Sequence, residues 1–455
     1  MDPSQPDELL TIAEKSGFRR TGRTDEVARL CAGYAKAWPQ HVRVLEFGRS
    51  AEGRPMLALL VCRKDPRTVP LLMIQAGIHP GESDGKDAGF IALRELLSGA
   101  AAHRALEQVA VLFVPAFNVD GHERFGRWNR PNQNGPEETG WRTTAQNLNL
   151  NRDYTKADAP EMQALLRLVN EWDPLVFADL HVTDGANFEP DVSIQVEPIN
   201  QGDPNLYDSG RQLRDSLIDR LAAKGSIPLP FYPDLARIDD PTSGFLLSVY
   251  SPRFSTGYFP ARNRFAVLVE THSWKDYATR VRVTRNAIVG LAELVAEHGS
   301  AWQRTAKRAD SDAARLVGSE TPLDYSSGWR ETGKVGKDAA EPATDEGHLI
   351  DFRGYAYTRT ISPISGALVT TYDPQTPQIW RVPFRDRVKP SLLATVPHAY
   401  IVPPAYAEIM AAKLDLHGIR FELVERVIRD STVEAFRATR VTFSKIPFEG
   451  RFRAE

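Results

Sequence analysis

The chain has few cysteines for its length of 455 residues, because Cys31 and Cys62 are the only two. This count excludes a cysteine-based zinc finger, and we expect two buried free thiols rather than a disulfide. No apolar run approaches the roughly 20 residues that cross a bilayer, so no membrane span is expected. The net charge of −3 offers no basic field, so nucleic acid is not an expected partner.

The first ten residues, MDPSQPDELL, also lack the charged and apolar regions of a signal peptide. The chain is therefore either cytoplasmic or a mature form whose signal has been removed. Of the two, we favour a periplasmic or secreted location. The sequence carries no signal for an oligomeric state.

The order of apolar and polar segments predicts one large domain and a smaller one. Buried strand-like runs alternate with helical patterns up to about residue 300, which is typical of an α/β domain. A polar stretch follows, and beyond it GYAYTRT, GALVTTY, AYIVP, RFELVERVI and AFRATRVTF are short β-like runs. We therefore expect a catalytic domain over residues 1–303, a linker or boundary over 304–347, and a β-rich accessory domain of unknown role over 348–455.

Four polar residues lie just after, or at the end of, apolar runs. His79 and Glu82 stand in HPGE after LLMIQAG, His181 ends LVFADLH, and Glu270 ends FAVLVE. Ligands of open α/β sheets bind beyond the carboxyl ends of the strands, so these side chains are expected to meet there. Two histidines and one carboxylate can hold one zinc ion per chain and leave a position open for water.

A lone His-x-x-Glu pair seldom binds metal, so the prediction depends on the third ligand from the distant strand. Glu270 follows five apolar residues, where a carboxylate is costly unless it has a function or a partner. We interpret it as a general base, and the alternative is a buried ion pair with an arginine. Asp179 and Asp84 are candidates for hydrogen bonds to the metal ligands.

The polar string GWRTTAQNLNLNRDY adds three candidate anion-binding groups. Arg152 can bind a carboxylate through two parallel hydrogen bonds, and Asn151 can donate beside it. Arg142 could instead face the oxyanion that develops on a scissile carbonyl. Taken alone, these residues would more often be solvated loop positions, and only their combination with the metal ligands favours a function.

The chain resembles the zinc carboxypeptidase family, the carboxypeptidase A-like metallopeptidases, over roughly residues 40–300. The resemblance rests on six motifs that occur in the order of the family: GRSAEGRP, HPGE, NVDG, LNLNRDY, DLH and VETHS. It implies an α/β fold in which helices flank a mixed sheet of about eight strands. Asn149 stands where the family commonly has aspartate, which leaves one local hydrogen bond open.

The resemblance also implies a role for each site residue. The zinc ligands fall on His79, Glu82 and His181, the general base on Glu270, and the pair that holds a substrate carboxylate on Asn151 and Arg152. The oxyanion arginine falls on Arg142, with Arg130 as the alternative. A tyrosine on a mobile loop falls on Tyr258, with Tyr250 as the second choice.

We therefore expect a zinc-dependent metallocarboxypeptidase, whose substrate is a peptide or acyl-amino acid with a free carboxylate. A zinc amidase or deacylase, or a hydrolase of peptidoglycan stem peptides, would use the same chemistry. A protein of another class, a non-catalytic binder of C-terminal carboxylates, is the further alternative. Side-chain preference stays open, and residues 187–264, rich in proline, glycine and aromatics, are expected to form the cleft walls.

Overall fold

A computed structural model of the chain describes residues 7–102, 104–327, 347–429, 432–447 and 452–454. Its strands are β1 Val42–Arg49, β2 Pro55–Val61, β3 Leu71–Ala76, β4 Ala110–Val114, β5 Val176–Val182, β6 Val192–Glu197, β7 Pro228–Leu229, β8 Asp234–Leu235, β9 Phe245–Leu246, β10 Phe265–Thr271, β11 Glu320–Ser326, β12 His348–Ile361, β13 Leu368–Arg385 and β14 Lys389–Thr395. Its α-helices are α1 Ile12–Lys15, α2 Thr24–Ala37, α3 Asp84–Ser98, α4 Val119–Glu123, α5 Pro160–Trp172, α6 Tyr207–Ala223, α7 Ser255–Tyr258, α8 Tyr277–Asp312 and α9 Pro404–Leu416.

Within the described residues, eight strands form one mixed sheet in the order β1-β2-β4-β3-β5-β10-β6-β7. The central strands β4, β3, β5 and β10 run parallel to their neighbours in this group. The outer pairs β1–β2, β2–β4 and β10–β6 are antiparallel. The predicted fold class, a mixed sheet of about eight strands flanked by helices, is confirmed.

The central strands are covered on both faces, as their continuous apolar runs predict. Every residue of β3, β4 and β5 is buried, as expected of parallel strands between two helical layers. Helix α3 ends at Gly99, which caps it in the left-handed conformation with φ 80°. Helix α8 packs against α3 and continues to Asp312.

The region after α8 is rich in β-structure, as predicted. Strand β11 pairs with β14, and β12 and β13 form a long antiparallel hairpin. The runs AYIVP, RFELVERVI and AFRATRVTF form no regular strand where the structure describes them. The predicted boundaries at 303 and 348 stay predictions, and residues 328–346 of the predicted linker lie outside the described residues.

Both cysteines are free and buried, in agreement with the sequence. Burial raises the pKa of Cys31 to about 12, which makes its thiol inert near neutral pH. Among the residues that the structure describes, no helix combines the length and the apolar character needed to span a bilayer.

Candidate metal centre and cleft

Three adjacent parallel strands bring the candidate ligands and the candidate base to one edge of the sheet. His79 and Glu82 lie in the turn between β3 and α3, His181 lies near the end of β5, and Glu270 lies near the end of β10. Strand β5 is hydrogen-bonded to β3 on one side and to β10 on the other. The site therefore forms where the carboxyl ends of these strands meet, as the sequence predicted.

The two histidines face the carboxylate of Glu82 through equivalent nitrogens. Nδ1 of His79 lies 3.1 Å from Oε1, and Nδ1 of His181 lies 3.0 Å from Oε2. One ligand atom from each residue can be chosen so that all three lie within 4.8 Å of one another. All three side chains are buried, with exposures of 2–4%. Two imidazoles and one carboxylate converging in this way fit a zinc ion with one open position.

The outer nitrogen of each histidine faces an oxygen: that of His79 is hydrogen-bonded, and that of His181 is in ion-pair contact. Nε2 of His79 lies 3.2 Å from Oδ1 of Asn149, and Nε2 of His181 lies 3.2 Å from Oδ1 of Asp179. Such partners fix the ring orientation of metal-binding histidines. Asn149 thus supplies an oxygen at the position where the family commonly has aspartate, and the hydrogen bond that the sequence left open is present.

Of the two aspartates predicted to support the ligands, only Asp179 contacts one. Its Oδ2 also accepts a hydrogen bond from Ser255 at 2.7 Å, so it is itself held in place. Asp84 instead pairs with Arg280 at 2.8 Å and accepts from the Thr271 hydroxyl. Asp84 therefore ties the start of α3 to β10 and α8, and it does not contact a ligand.

Burial and the charges around Glu82 together set the protonation of the two histidines. Burial lowers the pKa of His79 to about 4, although Glu82 opposes this effect. Burial also disfavours the charged form of His181, but Asp179 and Glu82 outweigh it and raise the pKa of His181 well above its usual value. Burial opposes ionisation of Glu82 too, yet the histidines and Arg130 hold its pKa well below the usual range.

Glu270 lies beside His181 at the same register on the neighbouring strand. Burial raises its pKa to about 8, and the negative charges of Glu82 and Asp184 add to this effect. Its Oε2 atom is buried and has no hydrogen-bond partner among the described residues. Within the described part of the chain, this oxygen is therefore not bound by an arginine.

The predicted carboxylate-binding pair borders the same cleft, a cavity of about 230 Å³. Oδ1 of Asn151 is buried without a partner in the described part of the chain. The guanidinium of Arg152 lies 4.2 Å from the ring centroid of Phe254, a cation–π contact, and its Nη1 donates to the Asn151 carbonyl oxygen at 2.7 Å. The residues that line the cleft are His79, Glu82, Arg142, Asn151, Arg152, His181, Val182, Asp184, Tyr232, Tyr250, Phe254, Ser255, Thr256, Leu268 and Glu270.

The two candidate arginines occupy different positions. Arg142 lines the cleft, and its side chain is 36% exposed, with Nη1 3.4 Å from Oε1 of Glu82. Arg130 is only 8% exposed and donates to Glu82 at 2.9 Å. Its other nitrogen donates to the carbonyl oxygens of Val182 and Thr183. The hydrogen bonds of Arg130 therefore hold the turn that carries Glu82, whereas Arg142 lines the open space of the cleft.

Tyr258, the first choice for the loop tyrosine, does not reach the cleft. Its hydroxyl lies 3.0 Å from Nδ1 of His417 and 3.3 Å from Nη1 of Arg262, on the far side of α7. Tyr250, the second choice, lines the cleft, and burial raises the pKa of its hydroxyl. The contacts with His417 and Arg262 hold the Tyr258 hydroxyl away from the cleft, which Ser255 and Thr256 of the same helix line.

Sequence reasoning missed several wall residues of the cleft. Leu268 precedes Glu270 by two positions on β10, and strand alternation alone could have placed both on one face. Asp184 follows His181 by three residues and could have been suspected. Tyr232 lies in an irregular segment within residues 187–264, the region predicted to form walls, and its own position carries no sequence signal.

Comparisons with known proteins agree with the motif order. Residues 27–193 match the model of a family described as zinc carboxypeptidase, a segment that holds the three candidate ligands and ends before Glu270. The chain is 31% identical over 155 residues to carboxypeptidase D of Drosophila melanogaster, covering 32% of this chain and 11% of that protein. It is 33% identical over 102 residues to carboxypeptidase A6 of Mus musculus, covering 20% of this chain and 23% of that one. The chain thus spans less than a quarter of the length of either relative.

Solved structures with a similar chain path include two bacterial metallo-carboxypeptidases. The protein from Burkholderia cenocepacia is 19% identical with a TM-score of 0.44, covering 61% of this chain and 69% of that chain. The protein from Pseudomonas aeruginosa, in complex with (2-guanidinoethylmercapto)succinic acid, is 18% identical with a TM-score of 0.44, covering 60% and 68%.

The family match covers the turn with His79 and Glu82, the LNLNRDY string and the strand with His181. These are the segments on which the resemblance in the sequence rests. Residues 27–193 are therefore similar to the zinc carboxypeptidase family.

Proposed function

We propose that the protein is a zinc-dependent metallocarboxypeptidase that hydrolyses the C-terminal peptide bond of its substrate. The observation that carries the proposal is the meeting of three groups in one cleft. These are the candidate ligands His79, Glu82 and His181, the carboxyl of Glu270, whose Oε2 has no partner among the described residues, and the Asn151–Arg152 pair. No single one of these groups would distinguish a peptidase from another metal site.

The three ligands would hold one zinc ion, with Asn149 and Asp179 fixing the orientation of the histidines. A bound zinc ion supplies Lewis acidity, which lowers the pKa of water to about 7 and polarises a carbonyl oxygen. Side chains of the cleft would transfer the proton, bind the oxyanion and bind the carboxylate of the substrate.

Glu270 would take the proton from the attacking water and deliver it to the leaving amine. Its Oε2 is available for this transfer, because no described group hydrogen-bonds to it. Arg142 would donate to the oxyanion that develops on the scissile carbonyl, a role that suits its exposure to the cleft. Tyr250 is our candidate for the tyrosine that contacts the substrate, in place of Tyr258.

Asn151 and Arg152 would bind the free carboxylate of the last residue. The Phe254 ring packs against the guanidinium of Arg152, a planar group that can donate two parallel hydrogen bonds to a carboxylate. This pair separates a carboxypeptidase from a zinc hydrolase that does not require a free acid.

The test is a substrate panel with the zinc-loaded protein: blocked dipeptides, N-acyl amino acids and muropeptides, each as the free acid and as the C-terminal amide. We expect turnover of the blocked dipeptide acids and little turnover of the matching amides. Faster turnover of N-acyl amino acids or muropeptides would favour the amidase or stem-peptide alternative. Binding of the acids without any turnover would favour a non-catalytic carboxylate binder.

A further inference from the structure

A second hydrophobic cluster joins the C-terminal hairpin β12–β13 to the irregular segments that wall the cleft. It is separate from the main core, and every member is at most 9% exposed. Its members from the main domain are Phe188, Phe231 and Phe245, and its members from the hairpin are Phe352, Trp380, Val382 and Phe384.

Phe352 lies at the centre of this cluster. Its ring centroid lies 4.5 Å from that of Phe245, 5.4 Å from Phe188 and 5.5 Å from Trp380. Close ring contacts of this kind add stabilisation beyond the apolar area that they bury. One hairpin residue therefore connects two segments of the main domain that are far apart in the sequence.

The backbone continues the same connection. Strand β13 pairs in parallel with the two-residue strand β9, and β9 pairs with the equally short β8. An isolated hairpin of this size is barely stable in water, so β8 and β9 depend on β13 for their conformation. On the other side, Phe188 forms a β-bridge with Gly354, where a Cβ atom would collide with the Trp380 ring.

The anchored residues are close neighbours of residues that line the cleft. Phe231 directly precedes Tyr232, and Phe188 follows Asp184 by four residues. The ring of Phe188 also stacks on His272 at 4.0 Å, two residues after Glu270. The amide of Phe188 donates to Nε2 of the same histidine. Contacts thus run from the hairpin to the wall of the cleft and to the end of β10.

We propose that the hairpin β12–β13 is a positioning element of the substrate cleft and not an appended module for a separate partner. By holding Phe188, Phe231 and Phe245, it fixes the outer wall that carries Asp184 and Tyr232. Asp184 and Tyr232 line the cleft but do not belong to the candidate ligand group, so the hairpin governs substrate binding and leaves zinc binding unchanged. This inference rests on the proposed peptidase function for its kinetic part only.

The experiment compares Phe352→Leu with Phe90→Leu in the full-length protein. Phe90 is fully buried in the main core, where its ring contacts Tyr34 and Phe113, so it is a control of matched chemistry. For Phe352→Leu we expect KM to rise on the order of tenfold, with kcat within about twofold of wild type and zinc content unchanged. The control should leave KM at the wild-type value even if its melting temperature falls.

Hydrogen–deuterium exchange of the same variants tests the inference without any turnover. In Phe352→Leu, peptides covering residues 184–190 and 228–248 should exchange faster, whereas those covering residues 79–84 should not. If both regions exchange as in wild type, or if the ligand turn loosens equally, the hairpin is not a positioning element for the wall. A wild-type protein without turnover would overturn the proposed function, and the exchange result would still decide this inference.

Discussion

His181 and Glu270 occupy the same register position on the adjacent parallel strands β5 and β10. Parallel neighbours at one register carry their side chains on the same face of the sheet. A candidate metal ligand and a candidate base are therefore held side by side by backbone hydrogen bonds, although 89 residues separate them in the sequence. Strands hold their side chains rigidly. We therefore expect substitutions of His181 and Glu270 to lower the rate of hydrolysis more than the stability of the fold.

Glu270→Gln should keep the fold and the metal but lose turnover, because an amide cannot accept the proton that a carboxylate accepts. We expect kcat to fall by about 10²–10⁴. Steady-state kinetics with a blocked dipeptide, together with zinc analysis of the same sample, measures both quantities. Normal hydrolysis by this variant would rule out Glu270 as the base.

His181→Ala should lose stoichiometric zinc, because two ligands remain where the site needs three. Elemental analysis after dialysis against a weak chelator measures the loss. The matched control is His398→Ala, since His398 is exposed and is not part of the candidate ligand group. Full zinc occupancy in His181→Ala would reject the ligand set, and zinc loss in His398→Ala would show that the assay is not specific.

We expect Arg142→Ala and Arg130→Ala to change different properties of the protein. Loss of Arg142 removes a donor to the developing oxyanion, so kcat should fall by about 10²–10³ with zinc content intact. Loss of Arg130 leaves Glu82 and the carbonyl oxygens of Val182 and Thr183 without their donor, so zinc affinity and melting temperature should fall as well. Parallel kinetics, zinc titration and thermal unfolding separate the two. The reverse pattern would make Arg130 the oxyanion residue.

His122 predicts an acid-sensitive contribution to stability outside the cleft. Burial and the nearby charge of Lys86 lower its pKa from 6.5 to about 3, although its contact with the Gly22 carbonyl and the charge of Glu26 oppose this. Below pH 6.5 the unfolded chain binds a proton that the folded chain excludes. Stability is therefore lost as pH falls from about 6.5 toward about 3, by up to about 1.4 kcal/mol per pH unit.

The variant His122→Gln removes this titration. Its unfolding free energy should fall less steeply than that of wild type between pH 7 and pH 4. Urea unfolding at a series of pH values measures the difference, in which the other titrating groups cancel. Parallel curves for the two proteins would show that His122 is protonated equally in both states.

The candidate site residues could be predicted from short motifs, because the carboxyl ends of neighbouring parallel strands lie at one edge of the sheet. HPGE, DLH and VETHS each follow an apolar run, and the parallel sheet places such ends together. The ligand turn and the base therefore meet as expected. The Cys31 and Cys62 thiols and the end of α3 at Gly99 likewise follow from local composition.

The sequence left alternatives open where position depends on long-range packing. Tyr258 and Tyr250 are eight residues apart, and only their packing partners decide which one lines the cleft. Arg142 and Arg130 both lie in a polar loop, and only their partners separate them. The β-like runs after residue 418 form no strands because a period-2 pattern needs a partner strand, which local sequence does not supply.

By itself, the sequence determined the candidate site residues: two histidines and two carboxylates at strand ends, and an Asn-Arg pair in a polar loop. Those predictions depend on local periodicity and on the chemistry of single side chains. Only the tertiary structure decided that Arg142 faces the cleft and that Tyr258 does not. It alone joined Phe352 to Phe188 and Phe245, because contacts between segments more than 100 residues apart arise from packing and not from local pattern.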